Sequence, residues 1–160
     1  MAGWADFFVA EVGASAALAG FVIVAISINL ARIISYPWLP GRAAETLVAP
    51  TGVLVVSSYM LVPGQQLAAL VTELFVTGGV MWLMPTIIQI RTWRAEAAVP
   101  RRSLVVRCTL SLFSSVPILI AAALMLMGDP NAIAWMVPGI IVSLVATVIN
   151  AWVLLVEIVR

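Results

Sequence analysis

The sequence is informative first through the residue types that it lacks. It contains no histidine, no lysine, a single cysteine and only two aspartates among its 160 residues. A serine nucleophile would therefore have no histidine base, and no set of histidine and cysteine ligands could hold a zinc ion. Cys108 has no second cysteine with which to form an internal disulfide. We accordingly predict no enzymatic activity, no catalytic residue, no metal site and no cofactor.

Charge is also scarce. Charged residues make up 9% of the chain, hydrophobic residues make up 64%, and the mean hydropathy is +1.17. This composition lies far outside that of soluble domains and predicts an integral membrane protein. We expect an all-α fold, a bundle of transmembrane helices that forms a single domain over residues 1–160 and contacts the lipid bilayer. The net charge of +1 gives no indication of a nucleic-acid partner, and none is predicted.

Five stretches are apolar over about 20 residues, the length that crosses a hydrocarbon core of ~30 Å. Pro63 and Gly64 separate the second stretch from the third and favour a tight hairpin there. In a four-span alternative these two stretches fuse or one of them crosses only partly, because Pro50 and Gly52 interrupt the second. The predicted spans are residues 12–33, 43–61, 67–90, 104–127 and 133–159.

The arginines indicate how the chain is oriented. All eight lie at one membrane face of the five-span arrangement, whereas the opposite face holds Asp6, Glu11 and Asp129 and no basic residue. Because cytoplasmic loops carry the excess of positive charge, we predict an external amino terminus and a cytoplasmic carboxyl terminus. The words "outer" and "inner" refer below to this predicted orientation.

The first predicted span has two distinct faces. One face, called here the small-residue face, carries side chains that let helix backbones approach closely, and we expect it to pack on protein: Gly13, Ala16, Ala17 and Gly20. The nearly opposite face has polar ends and an apolar middle: Glu11, Ser15, Leu18, Val22 and Asn29, with Arg32 to one side.

This second face has two interpretations. In the first, several copies of the helix surround an axis and the face lines a pore, in which Leu18 and Val22 form a constriction that gates by dewetting. In the second, the helix is an ordinary buried span whose ends are polar because they lie near water. Arg32 then extends to the inner headgroups.

Glu73 is the carboxylate that the predicted spans place deepest in the membrane, on the same face as Gln66 and Thr77. An ionised carboxylate in hydrocarbon costs about 2.5 to 3.5 kcal/mol on insertion scales. Glu73 should therefore be protonated, paired or facing water. It is either a functional residue or a glutamate that is hydrated or hydrogen-bonded to neighbouring helices.

Polar residues also recur on one face of each of the last two spans. We expect them to form interhelical hydrogen bonds, worth about 0.6 kcal/mol each. An ion pair between Arg107 and Glu157 is predicted near the inner leaflet, because both residues lie at the inner ends of adjacent spans. The residues concerned are Arg107, Ser111 and Ser114 in the fourth span and Ser143, Thr147, Asn150 and Glu157 in the fifth.

Several short motifs in about the first 65 residues resemble those of a group of small, uncharacterised bacterial multi-pass membrane proteins. The motifs are WADFF at 4–8, EVGASAALAGF at 11–21, SINLARI at 27–33, LPGRA at 39–43 and LVPGQ at 61–65. The resemblance implies a multi-pass protein of the bacterial inner membrane and brings no activity with it.

The pattern SAxLxGFxxVA at 15–25 is similar to the pore helix of Orai calcium channels. The selectivity glutamate of that family follows the pattern three residues later, where this chain has Ile28. The predicted helix direction is reversed and the number of spans differs. The resemblance therefore implies no calcium selectivity.

Two functions follow from these patterns. The first is a homo-oligomeric bacterial membrane channel whose first helix lines the axis and whose ion is unknown. The alternative is a non-conducting membrane protein that binds or modulates another membrane protein complex through the small-residue face. The expected partners are the lipid bilayer, further copies of the chain and, in the alternative, another membrane protein.

Overall fold

The computed structural model describes residues 3–37, 39–95, 101–153 and 155. Every regular element in this part of the chain is helical, so the fold is all-α as predicted. The elements are α1 (Trp4–Ile28), α2 (Leu30–Ser35), α3 (Leu39–Met60), α4 (Leu67–Ala95), α5 (Arg101–Leu126), a 3₁₀ turn (Ala132–Trp135) and α6 (Met136–Trp152).

Five helical segments are long and apolar enough to cross a bilayer: Trp4–Ile28, Leu39–Met60, Leu67–Arg94, Val105–Leu126 and Ala132–Trp152. The protein is a multi-pass helical membrane protein, and the prediction of five spans is confirmed. The four-span alternative is wrong, because α3 continues unbroken through Pro50 and Gly52 and ends before α4 begins. The predicted end of the fifth span, residue 159, lies outside the described residues.

Two glycines form the outer hairpins. Gly64, between α3 and α4, has a φ angle of +68°, and Gly128, between α5 and the 3₁₀ turn, has a φ angle of +76°. Residues with a Cβ atom rarely adopt this left-handed conformation, whereas glycine adopts it readily. The predicted tight reversal at Pro63 and Gly64 is therefore confirmed.

The first span differs from the prediction at both ends. Helix α1 begins at Trp4 rather than at residue 12, and the aromatic rings of its first turns pack on one another: Trp4 to Phe7 at 5.9 Å and Phe7 to Phe8 at 5.3 Å between centroids. It ends at Ile28 rather than at residue 33. The amide Nδ2 of Asn29 donates to the Ala25 carbonyl at 3.1 Å, and such local side-chain bonds compete with the helix.

Helices α3 to α6 form a four-helix unit, and α1 packs against α3 and α6. Two helices of the unit approach closely at Gly139 of α6, where a Cβ atom would lie 2.9 Å from a backbone atom, the carbonyl oxygen of Ser114 in α5. The core of the outer half is apolar and includes Val53, Val56, Leu74, Met81, Ile118, Met136 and Ile140.

Two hydroxyl groups that we expected to bond between helices bond within α6 instead. Ser143 donates to the carbonyl of Gly139 and Thr147 to the carbonyl of Ser143, each at 2.7 Å. The prediction of interhelical bonds from these two residues is wrong, because a serine or threonine hydroxyl reaches the carbonyl four residues earlier in its own helix. Both side chains are buried, and their hydroxyl groups are hydrogen-bonded without a contribution from another helix.

Candidate functional site

A buried ion pair joins α3 to α5 near the inner ends of these helices. The guanidinium of Arg107 pairs with the carboxylate of Glu45, and its Nε atom lies 3.3 Å from Glu45 Oε1. The two side chains are 14% and 11% exposed. The predicted pairing of Arg107 with Glu157 stays a prediction, because Glu157 lies outside the described residues.

Gln89 of α4 completes this group. Its Nε2 atom donates to Glu45 Oε1 at 2.5 Å, and its Oε1 atom accepts from the Cys108 thiol at 2.8 Å. Gln89 is buried, and Cys108 is at the exposed edge. We call Glu45, Gln89, Arg107 and Cys108 the inner polar cluster. It connects three helices of the four-helix unit.

Sequence reasoning missed Glu45 and Gln89. Both were placed close to predicted span ends, at 43 and 90, where polar residues are ordinary. In the structure Glu45, Gln89 and Arg107 each lie six residues from the inner end of their helix. Polar side chains on neighbouring helices can contact one another when they lie at the same depth in the membrane. The similar distance of these three residues from the inner loops is therefore the sequence feature that could have predicted the contact.

A small cavity of about 40 Å³ adjoins the inner polar cluster. It is lined on its polar side by Ser111, Ser114 and Asn150, with Pro85 among its apolar lining. A water molecule needs roughly 10 to 15 Å³ of such space, so the cavity has room for about three. It is too small for an organic ligand, and the apolar core lies on its outer side.

The face of α1 that we expected to line a pore is turned into the protein. Ser15 and Val22 are both 0% exposed, and the Ser15 hydroxyl donates to the Glu11 carbonyl at 2.6 Å. Leu18, Glu11 and Asn29 are half-buried. The prediction that this face surrounds an axis is therefore wrong for Ser15 and Val22, because the face packs on the chain's own helices.

Arg32 does not continue that face. It lies on the separate helix α2, after the break at Asn29, and is exposed. This is compatible with the second interpretation, in which the side chain extends to the inner headgroups.

The small-residue face of α1 is turned outward. All four residues are exposed, and nothing from the rest of the described chain lies within 4 Å of a Cβ atom built on Gly13 or Gly20: Gly13, Ala16, Ala17 and Gly20. The close helix packing that these residues permit is not used within the chain. The face is therefore free to contact another membrane-spanning helix.

Polar groups near the outer ends are less well paired than the inner polar cluster. Glu73 is half-buried and accepts a hydrogen bond from the side-chain amide of Gln65. Within the described residues, three buried oxygens have no hydrogen-bond partner: Glu11 Oε2, Ser57 Oγ and Gln65 Oε1. The hydrogen-bonded interpretation of Glu73 thus has a specific partner, supplied by the α3–α4 turn.

The chain matches no family model, no curated protein and no solved structure. The resemblances to small bacterial membrane proteins and to the Orai pore helix therefore remain predictions.

Proposed function

We propose that the protein is a non-conducting membrane subunit that acts by helix–helix assembly. Helix α1 is its docking helix, and a second copy of the chain is the first partner. The observation that carries the proposal is the exposure of the small-residue face, together with the burial of the opposite face of α1.

The sequence of that face fits such a role. Gly13 and Ala17 are four residues apart, as are Ala16 and Gly20, so two small-xxx-small motifs overlap on one face. Helices associate in membranes chiefly by close van der Waals packing, which small residues permit by bringing the backbones together. Because lipid is as apolar as leucine, an exposed apolar face alone would give no such preference.

A second copy is the simplest partner for this face. An isologous contact across a two-fold axis uses the same patch on both subunits, and a small-residue face is complementary to itself. Helix α1 is also the least buried of the five spans, with 17% of its most apolar window buried. A new contact there would leave the four-helix unit unchanged.

The test compares two identical substitutions on α1. Ala17→Leu adds a bulky side chain to the small-residue face, and Ala14→Leu adds the same side chain to an exposed position off that face. We expect sedimentation in mild detergent to give a dimer or higher oligomer for the wild type and for Ala14→Leu, and a monomer for Ala17→Leu.

A monomeric wild type would contradict self-association, as would equal oligomerisation of the two variants. If Ala17→Leu instead abolishes only the co-purification of another membrane protein, α1 is a docking helix but the partner is not a second copy. Circular dichroism of both variants checks that each is folded.

Conduction by a homo-oligomer is a second candidate, and the cavity beside the inner polar cluster favours it. Any path would run through the four-helix unit and not along α1, because the polar residues that line the cavity all belong to α3, α5 and α6: Glu45, Arg107, Ser111, Ser114 and Asn150. Reconstituted ion flux that is lost in Asn150→Leu would support this candidate. No flux from a well-folded oligomer would leave assembly as the function.

A further inference from the structure

A groove runs along the membrane-facing surface between α3 and α4. It has a volume of about 470 Å³ and is lined from α3 by Leu47, Thr51 and Val55, and from α4 by Val76, Val80 and Met84. Its volume lies in the range of small-molecule sites, and its lining is almost wholly apolar. A molecule in the groove would contact both helices.

The groove is deep because of a glycine. Gly52 of α3 lies against Met81 of α4 so closely that a Cβ atom at this position would overlap the Met81 side chain. The two helices therefore meet at the floor, while exposed side chains such as Val76 and Val80 form its walls. The concave shape of the groove therefore results from the close packing of α3 on α4 at Gly52.

The length of the groove fits an acyl chain of one leaflet of the bilayer. Its α3 wall runs from residue 44 to residue 55, or about 16 Å at 1.5 Å per residue. Half of a ~30 Å hydrocarbon core is about 15 Å. The α3 wall begins five residues from the inner end of that helix and stops five residues from its outer end, so the groove crosses the middle of the span. An acyl chain from the inner leaflet of the predicted orientation would enter it at its inner end.

A positive charge continues the α4 wall toward the inner surface. Arg91 is seven residues beyond Met84, so it shares the same face of α4 and lies about 10 Å farther along the helix. It is exposed, and among the described residues it forms no salt bridge. An apolar groove that leads to a cation at the membrane surface is complementary to a lipid with an anionic headgroup.

We propose that this groove binds one acyl chain of an anionic phospholipid from the inner leaflet, and that Arg91 contacts the lipid phosphate. The glycerol and ester part of the lipid spans the distance between Met84 and Arg91. The site is distinct from the inner polar cluster and from the small-residue face of α1.

The test measures lipid that stays bound after extraction. The protein is reconstituted in vesicles of equal parts phosphatidylglycerol and phosphatidylcholine with identical acyl chains, extracted in mild detergent and analysed by native mass spectrometry. We expect retained phosphatidylglycerol in the wild type, and about a five-fold loss of it in Arg91→Gln. Arg91→Lys keeps the charge and should retain most of the lipid.

Two matched controls separate the groove from general effects. Arg32→Gln removes the same charge from an exposed inner position outside the groove, and should leave lipid retention unchanged. Val80→Trp fills the groove, whereas Val148→Trp adds the same side chain to α6 at nearly equal exposure, 53% against 50%. We expect loss of lipid only in Val80→Trp.

Three results would overturn the proposal. They are equal retention of the two lipids by the wild type, equal retention by Arg91→Gln and Arg32→Gln, and unchanged retention by Val80→Trp. If Val80→Trp loses self-association but keeps its lipid, the groove is instead an interface with a second copy.

Discussion

The first and last spans are almost equally apolar but are buried very differently. Their most apolar windows have mean hydropathies of 2.1 for Trp4–Ile28 and 2.3 for Ala132–Trp152, yet 17% of the first is buried and 39% of the second. Hydropathy therefore identifies both as membrane spans and does not distinguish a core helix from a peripheral one. The difference arises from which residues each helix turns inward.

The last span turns its smallest residues inward. Gly139, Ser143 and Thr147 are buried, and the glycine lets α6 approach α5 closely. Helix α1 does the reverse, because its two glycines are exposed while Ser15 and Val22 pack inside. The same residue types thus serve packing within the chain in α6, and are available for packing between chains in α1.

The largest expected effect concerns the four-helix unit, to which α1 does not belong. Glu45→Leu leaves the Arg107 guanidinium buried without its carboxylate, and should lower the free energy of unfolding by about 3 to 5 kcal/mol. The double variant Glu45→Leu with Arg107→Leu should recover most of this loss, because it leaves no charge unpaired. Unfolding in mixed micelles measures both.

If the single and double variants are equally unstable, the inner polar cluster is not held by the ion pair. If neither is destabilised, the cluster does not join α3 to α5 in the membrane.

A smaller effect separates the glycines of the two spans. Gly139→Ala places a Cβ atom 2.9 Å from the Ser114 carbonyl oxygen, a backbone atom, and should cost about 1 to 3 kcal/mol of stability. Gly20→Ala meets nothing within 4 Å and should be neutral or stabilise α1 by up to about 1 kcal/mol. Thermal unfolding under monomeric detergent conditions compares them, and an equal loss in both would remove the distinction between core and peripheral helix.

The smallest effect concerns the outer polar contact. Gln65→Leu removes the amide that donates to Glu73, and should destabilise the protein by about 0.6 kcal/mol. Gln66→Leu, one residue away and exposed, is the control. If Gln65→Leu lowers the free energy of unfolding as much as Glu45→Leu does, the outer contact stabilises the protein as strongly as the inner polar cluster, which would contradict this order.

The number of spans could be predicted because apolar length and turn residues are local properties of the chain. The start of α1 was not predicted, since hydropathy averaging does not detect the ring contacts among Trp4, Phe7 and Phe8 in its first turns. Its end depends on one side-chain bond from Asn29. Both are local contacts, and neither alters the apolar signal of the span.

The candidate site could be predicted only in part. Arg107 was recognised as one member of an ion pair, but Glu45 was not recognised as its partner, because only the three-dimensional order of the helices shows that α3 and α5 bring these two residues together. The faces of α1 were separated correctly but assigned wrongly. A helical projection counts Ser15 as a polar residue that faces water. In the structure Ser15 is buried, because its hydroxyl donates a hydrogen bond to the Glu11 carbonyl of the same helix.

Cysteine scanning of α1 in the membrane tests directly whether the small-residue face is the surface through which the chain assembles. Starting from Cys108→Ser, single cysteines are introduced as Gly13→Cys, Ala17→Cys and Gly20→Cys on the small-residue face, and as Ala14→Cys and Phe21→Cys at exposed positions off it. We expect disulfide-linked dimers at the first three positions and little or none at the other two. Dimers that form equally at all five positions, or most strongly at 14 and 21, would contradict assembly through the small-residue face.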